Sequence, residues 1–337
     1  MNRKRPIDMK RETGGMFDVG TPEEGSAGPM FEIKNSLYVV KEKAIYAVQF
    51  ADQIDPERKN FELPKTVHHL VFSEGSDSEL VSRTFLTAAT LFAGGKYLPK
   101  NFDYSRALVL SLDALTSMLQ MRASAMEFDT GQQQAYAKAE AGPRTESTMQ
   151  CPSMGDVRAR CKTFVHQSYH TQGTLLNIVK LFHNDIKEAP WDTLLAMTVQ
   201  RHGEDDRFTK FLRAFIPFLK LVLNTRNCLD HDGTKGVVRV QDFTLRNDGK
   251  IVYPTIEVDF RESKIPPVPI SFFMTRMVDS MSDVFENMIA HLCSKHVQSP
   301  MPNFTIQVGL IPENHRQMKL VRFGYGTYIG DDFVPIH

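Results

Sequence analysis

Arg226, Asn227 and His231 place a guanidinium, an amide and an imidazole within six residues, in the run Arg-Asn-Cys-Leu-Asp-His. These groups suit phosphodiester chemistry. An arginine fork forms paired hydrogen bonds to a phosphate and stabilises charge that develops on it. An imidazole exchanges a proton with a hydroxyl, and the neighbouring amide of Asn227 could hold it in one orientation. No cluster elsewhere in the chain combines such groups so closely.

The cluster closes a long apolar segment, Phe208 to Leu223, and reads as the end of a core helix. Residues four apart share a helix face, which pairs Asn227 with His231 and Arg226 with Asp230. Arg226 and His231 are five apart, roughly 140° around the axis. They converge only where the helix ends or bends, or where a two-fold symmetric second copy brings the motif near itself. A purely structural reading competes. Arg226 and Asp230 form an ordinary ion pair, His231 suits the negative end of a helix, and Gly233 caps it.

The elements that must carry the motif are mostly helical in pattern. Residues 1–30 are polar and rich in glycine, which predicts a flexible leader. Leu37, Val40, Ala44, Ala47, Val48 and Ala51 recur at steps of three and four and predict a helix. Ser76 and Glu79 have the spacing of a capping box ahead of a helix that reaches Phe92, with Gly94-Gly95 as its stop. His68-His69 opens another possible helix. A helix follows from about Asp103. Residues 129–155, with three consecutive glutamines and Pro143, read as a loop or linker. Helices then begin at Asp156, Pro190 and Glu204, the last containing Pro217. After Gly233 the period falls to two. Residues 237–260 read as a β-hairpin around Asp248-Gly249, and Pro266, Pro267 and Pro269 interrupt the strand-like pattern beyond it. Ile270 to Cys293 is helical again, and Phe304–Val308 and Lys319–Phe323 read as short strands. The predicted class is mainly α, a helical bundle with a β-hairpin insertion and short C-terminal strands. Its regions are a leader (1–30), a helical part (31–128), a linker (129–155), a helical region holding the motif (156–296) and an extension (297–337).

Composition narrows the function. The 337 residues carry 40 basic and 40 acidic side chains, so no global positive field exists to draw in nucleic acid. Any such contact is local. Four cysteines without CxxC spacing read as free thiols of a reducing cytoplasm. The basic N-terminus lacks an apolar stretch after it, so no signal peptide is expected, and no apolar run is long enough to predict a membrane span.

A long apolar helix running into Arg-Asn-x-x-x-His-x-Gly resembles the HEPN superfamily, whose signature is Arg, four to six residues, then His, with a polar residue often directly after the Arg. The matching positions are Arg226, Asn227 and His231, within a segment of about Asp156 to Cys293. The resemblance implies a compact helical bundle that forms homodimers and a metal-independent endoribonuclease, of defence or toxin–antitoxin type, acting on RNA without a cofactor. In that reading Arg226 steadies the scissile phosphate, His231 is acid or base, and Asn227 supports His231. The alternative is a non-catalytic module of the same fold that binds a nucleotide or a protein partner. A third reading is an unrelated helical protein in which the motif merely ends a helix. The long N-terminal part and the hairpin 237–260 depart from a minimal HEPN domain.

Other features are weaker. His166 and His170 have metal-compatible spacing on one predicted helix with Cys161, but no CxxC pair or acidic partner is adjacent, and no metal is expected. Gly94-Gly95-Lys96 lacks the rest of a phosphate loop, and neither Gly-x-Ser-x-Gly nor His-Glu-x-x-His occurs.

Overall fold

The structure, a computed structural model, describes residues 4–12, 18–34, 36–92, 96–142, 148–187, 189–231, 236–299, 305–330 and 332–336. The chain divides into two compact units, Met1–Val109 with Cys293–His337, and Leu110–Leu292. The expected mainly helical bundle is not what forms. Helix accounts for 51% and strand for 20%, with four antiparallel sheets of two to four strands beside the helices.

In the first unit, α1 (Pro6–Glu12) lies inside the expected flexible leader. It is held by Arg11, whose side chain is only 2% exposed. Arg11 faces Asp52 and Asp55 at 3.5 Å each and donates to the Asn60 carbonyl at 3.0 Å. Strands β1 (Ala27–Ile33), β2 (Ser36–Lys41) and β3 (Ile45–Phe50) then occupy the segment expected to be a helix. The three- and four-residue steps there were coincidental. Tyr38, Val39, Val40, Ile45, Tyr46 and Val48 are β-branched or aromatic and favour a pleated sheet. Only Ala51–Ile54 (α2) is helical. The His68-His69 pair lies in β4 (Thr66–Phe72), which completes the sheet β1-β2-β3-β4.

Helices α3 (Glu79–Val81) and α4 (Thr87–Phe92) are joined through a π-helical turn, Ser82–Leu86. The capping box does not form. Ser78 is the N-cap, and its hydroxyl donates to Glu74 at 2.6 Å instead. Gly94 and Gly95 lie outside the described residues.

The division between the units falls within α5 (Tyr104–Glu140). This helix runs through the glutamines read as linker. Gln132 is buried and its amide donates to Asp129 at 2.7 Å and to Ser271 at 2.9 Å. Glutamine is a fair helix former, and burial of its amide needs those partners. Past α5, residues 148–156 are irregular but tethered. The Asp242 carboxylate accepts from the Ser153 hydroxyl (2.7 Å) and from the amides of Met154 (2.9 Å), Gly155 (3.2 Å) and Phe243 (2.8 Å).

The second unit continues with α6 (Val157–Phe182), α7 (Pro190–His202) and α8 (Arg207–Asp230). Proline opens α7 where a missing N–H costs nothing, and Gly203 ends it at φ 87°. Asp206 caps α8 by accepting from Phe208 N at 2.9 Å. The helix continues past Pro217 to Asp230. One apolar face of α8, including Phe208, Leu212 and Leu219, is buried, and α8 packs on both α6 and α7.

Strands β5 (Val237–Gln241), β8 (Thr255–Phe260) and β9 (Ser263–Pro269) form a sheet against α8. The Asp248-Gly249 turn joins only a two-residue hairpin, β6 (Thr244–Leu245) with β7 (Ile251–Val252). The prolines do not end β9, because it is an edge strand. Pro266 and Pro267 fall at a break in register between the pairs Val258–Ile265 and Ile256–Val268. Helix α9 (Ile270–His296) follows. In the first unit, β10 (Gln307–Leu310), β11 (Phe323–Ile329) and β12 (Asp332–Pro335) form the last sheet. Of the expected strand Lys319–Phe323, only Phe323 is in β11, with Lys319 to Arg322 in the connection from β10, and Phe304 lies outside the described residues. Among the described residues no helix is long and apolar enough to cross a membrane.

Candidate functional site

Arg226 and Asp230 sit one turn apart at the end of α8, and the chain places α6 beside them. Asp230 is the centre of the cluster, with its side chain 12% exposed. His166 Nε2 lies 2.8 Å from Asp230 Oδ1, Lys162 Nζ 3.1 Å from the same oxygen, and Arg226 Nε 2.8 Å from Oδ2. Burial alone would raise the Asp230 carboxyl. The hydrogen bonds from His166 and Lys162 and the charge of Arg226 together outweigh it and hold the group below the usual carboxylate range. Asp230 therefore stays ionised and only accepts hydrogen bonds.

The arginine is less constrained than its ion pair suggests. Its Nε is close to Asp230, yet the N–H is not aimed at the oxygen and finds no hydrogen-bond acceptor. Nη1 donates to the Asn227 side-chain oxygen at 3.1 Å, and the guanidinium lies 5.3 Å from the Tyr169 ring centre. The fork is thus steered by stacking and charge, without the locked bidentate geometry of a structural arginine–carboxylate pair.

Lys162, His166, Tyr169, His170, Gly173 and Asn177 follow one another at helical spacing on α6 and form a wall of a groove of about 1130 Å³. Arg226 and Leu223 from α8 and Trp191 from α7 complete it. Asp230 does not line the groove, whereas its three partners Lys162, His166 and Arg226 do. The Trp191 ring is fixed from behind. With its amide oriented to satisfy both neighbours, Gln172 accepts from Trp191 Nε1 at 2.9 Å and donates to the Leu219 carbonyl at 3.2 Å. A side chain at Gly173 would meet nothing within 4 Å, which leaves that wall open.

The sequence motif is therefore divided. Arg226 faces the groove. Asn227 serves Arg226 through its side chain, and its carbonyl accepts from the His231 amide at 3.1 Å. His231 is the C-cap of α8, is exposed, and is not among the residues lining the groove. Within one chain the imidazole brought to the arginine's carboxylate is that of His166. Asp232 to Lys235, including the expected Gly233 cap, lie outside the described residues. His170 instead meets Ser117 at 3.0 Å, while burial pushes the Cys161 thiol up to about 12. Among the described residues, no three His, Cys, Asp or Glu side chains assemble as a metal cage.

Lys162 and Tyr169 escaped the sequence reading, although with His166 they repeat at four and three residues, the spacing of one helix face. Comparison with known proteins gives no match: no family model, no curated protein and no solved structure is similar to the chain.

Proposed function

We propose that the second unit is a HEPN-like module that binds single-stranded RNA in the groove between α6, α7 and α8. The observation that carries this reading is the convergence of Arg226 from α8 and Lys162 from α6 on one groove, beside Tyr169 and Trp191. Cations contact phosphate, and aromatic faces stack on unpaired bases. Asp230 lies within ion-pair distance of both Arg226 and Lys162 and offsets part of their positive charge, which agrees with a neutral chain whose RNA contact is local.

The second reading is the metal-independent endoribonuclease, with His231 meeting Arg226 across a homodimer. It is favoured by one observation, the exposure of His231 at a helix end, where a symmetric partner could reach it. Binding is measured by anisotropy of a labelled single-stranded RNA. Arg226→Ala and Lys162→Ala should each weaken it by about tenfold, the scale of one charge-assisted contact. With about two phosphates neutralised, log K should fall with log salt at a slope of about −1.4. Binding unaltered by both substitutions removes the groove as the RNA site.

A further inference from the structure

Asp230 does more than pair with an arginine. Its Oδ1 is 2.8 Å from His166 Nε2. An ionised carboxylate only accepts, so neutral His166 carries its hydrogen on Nε2 and keeps its lone pair on Nδ1. A carboxylate behind an imidazole fixes both tautomer and ring orientation, which is how such pairs prepare a general base. His166 lines the groove with its side chain 39% exposed, so the imidazole is accessible from it. Arg226 and Lys162 hold to the same carboxylate and flank the imidazole with positive charge.

We propose that His166, positioned by Asp230, is the general base of a metal-independent RNA cleavage carried out within a single chain. This rests on the RNA-binding reading of the groove and makes the substrate class ribonucleic acid, since the base needs a 2′-hydroxyl to act on. His166 Nδ1 takes the proton of that hydroxyl, and the 2′ oxygen forms a bond to the adjacent phosphorus. The bond from phosphorus to the 5′ oxygen breaks, and the departing oxygen takes a proton from water. His166 then returns its proton to solvent. The products are a 2′,3′-cyclic phosphate and a 5′-hydroxyl end. Arg226 and Lys162 stabilise the charge that grows on the phosphate oxygens. The arrangement needs neither His231 nor a second copy, which separates it from the paired-motif scheme.

The experiment incubates the full chain with a labelled single-stranded RNA and chelator, and measures binding and cleavage in parallel. His166→Ala should lower cleavage at least 100-fold, the usual contribution of a general base, while RNA binding changes by less than about threefold. His231→Ala should leave cleavage within about threefold of wild type. An oligonucleotide with a single 2′-deoxy residue should bind and remain intact at that position. Asp230→Asn should displace the pH profile of cleavage as well as lower the rate, a change that loss of packing alone would not produce. Cleavage that survives His166→Ala, or that is lost with His231→Ala and kept with His166→Ala, overturns the proposal. RNA that binds the wild type and is never cut overturns it too and leaves the binding reading intact. Absence of RNA binding overturns both.

Discussion

Replacing Asp230 with asparagine keeps the shape of the side chain and removes its charge, which isolates the electrostatic contribution of the cluster. Two ion pairs, to Arg226 at 2.8 Å and Lys162 at 3.1 Å, and the His166 contact at 2.8 Å lose their ionised acceptor. The partners are 31% exposed at Arg226, 39% at His166 and 47% at Lys162, so solvent screens each of them. Exposed pairs contribute about 0.2–1 kcal/mol each; with Asp230 itself largely buried, the upper half of that range applies and the three total about 2 kcal/mol. One effect opposes this. Asp230 is the last residue of α8, where the helix dipole disfavours a negative charge by about 0.5 kcal/mol. The ion pairs win, and the expected loss is about 1.5 kcal/mol. Trp191 is the sole tryptophan and lines the same groove, so its fluorescence reports unfolding of this unit. With a urea dependence of about 2 kcal/mol/M, the midpoint should fall by about 0.7 M, and by less in 1 M salt. A midpoint that rises would show that the dipole outweighs the cations, and the cluster would then not be held as described.

Three other predictions concern neighbouring features. Asp230 has a depressed carboxyl, so the stability it provides is complete above the unfolded carboxylate range, near pH 4, and is lost as pH falls through the lower folded value; an acid titration of Trp191 fluorescence should show this limb, and Asp230→Asn should flatten it. Cys151 is exposed whereas Cys161, Cys228 and Cys293 are buried, with Cys161 pushed up to about 12, so alkylation of the folded protein at pH 8 should label Cys151 alone by mass spectrometry. Asp242→Ala removes an acceptor shared by one hydroxyl and three amides, and should cost about 2 kcal/mol and speed hydrogen exchange at Met154 and Gly155.

The helices of the second unit were legible because their signals are strong and local. Pro190 at a helix start, Gly203 at an end and the apolar face of α8 mark their boundaries within a few residues. The first sheet was not, since Leu37 to Ala51 satisfies a helical count by chance while its β-branched and aromatic residues favour strand pairing, which depends on distant partners. The glutamines at 132–134 misled in the opposite sense, because polarity suggested a loop where Gln132 is buried on a helix. The candidate site was legible only on α8. Arg226 and its ion pair with Asp230 follow from helical spacing, but His166 and Lys162 lie more than 60 residues upstream. Only the packing of α6 on α8 brings them to Asp230, and no local pattern encodes that contact.

The most direct measurement is a titration of the chain with single-stranded RNA, followed by quenching of Trp191 and by anisotropy of the labelled RNA. Binding in the groove predicts saturable quenching of Trp191 that coincides with the anisotropy curve and weakens about tenfold with Arg226→Ala. An anisotropy change with no response from Trp191, unaltered by Arg226→Ala, would place the RNA elsewhere and contradict the account.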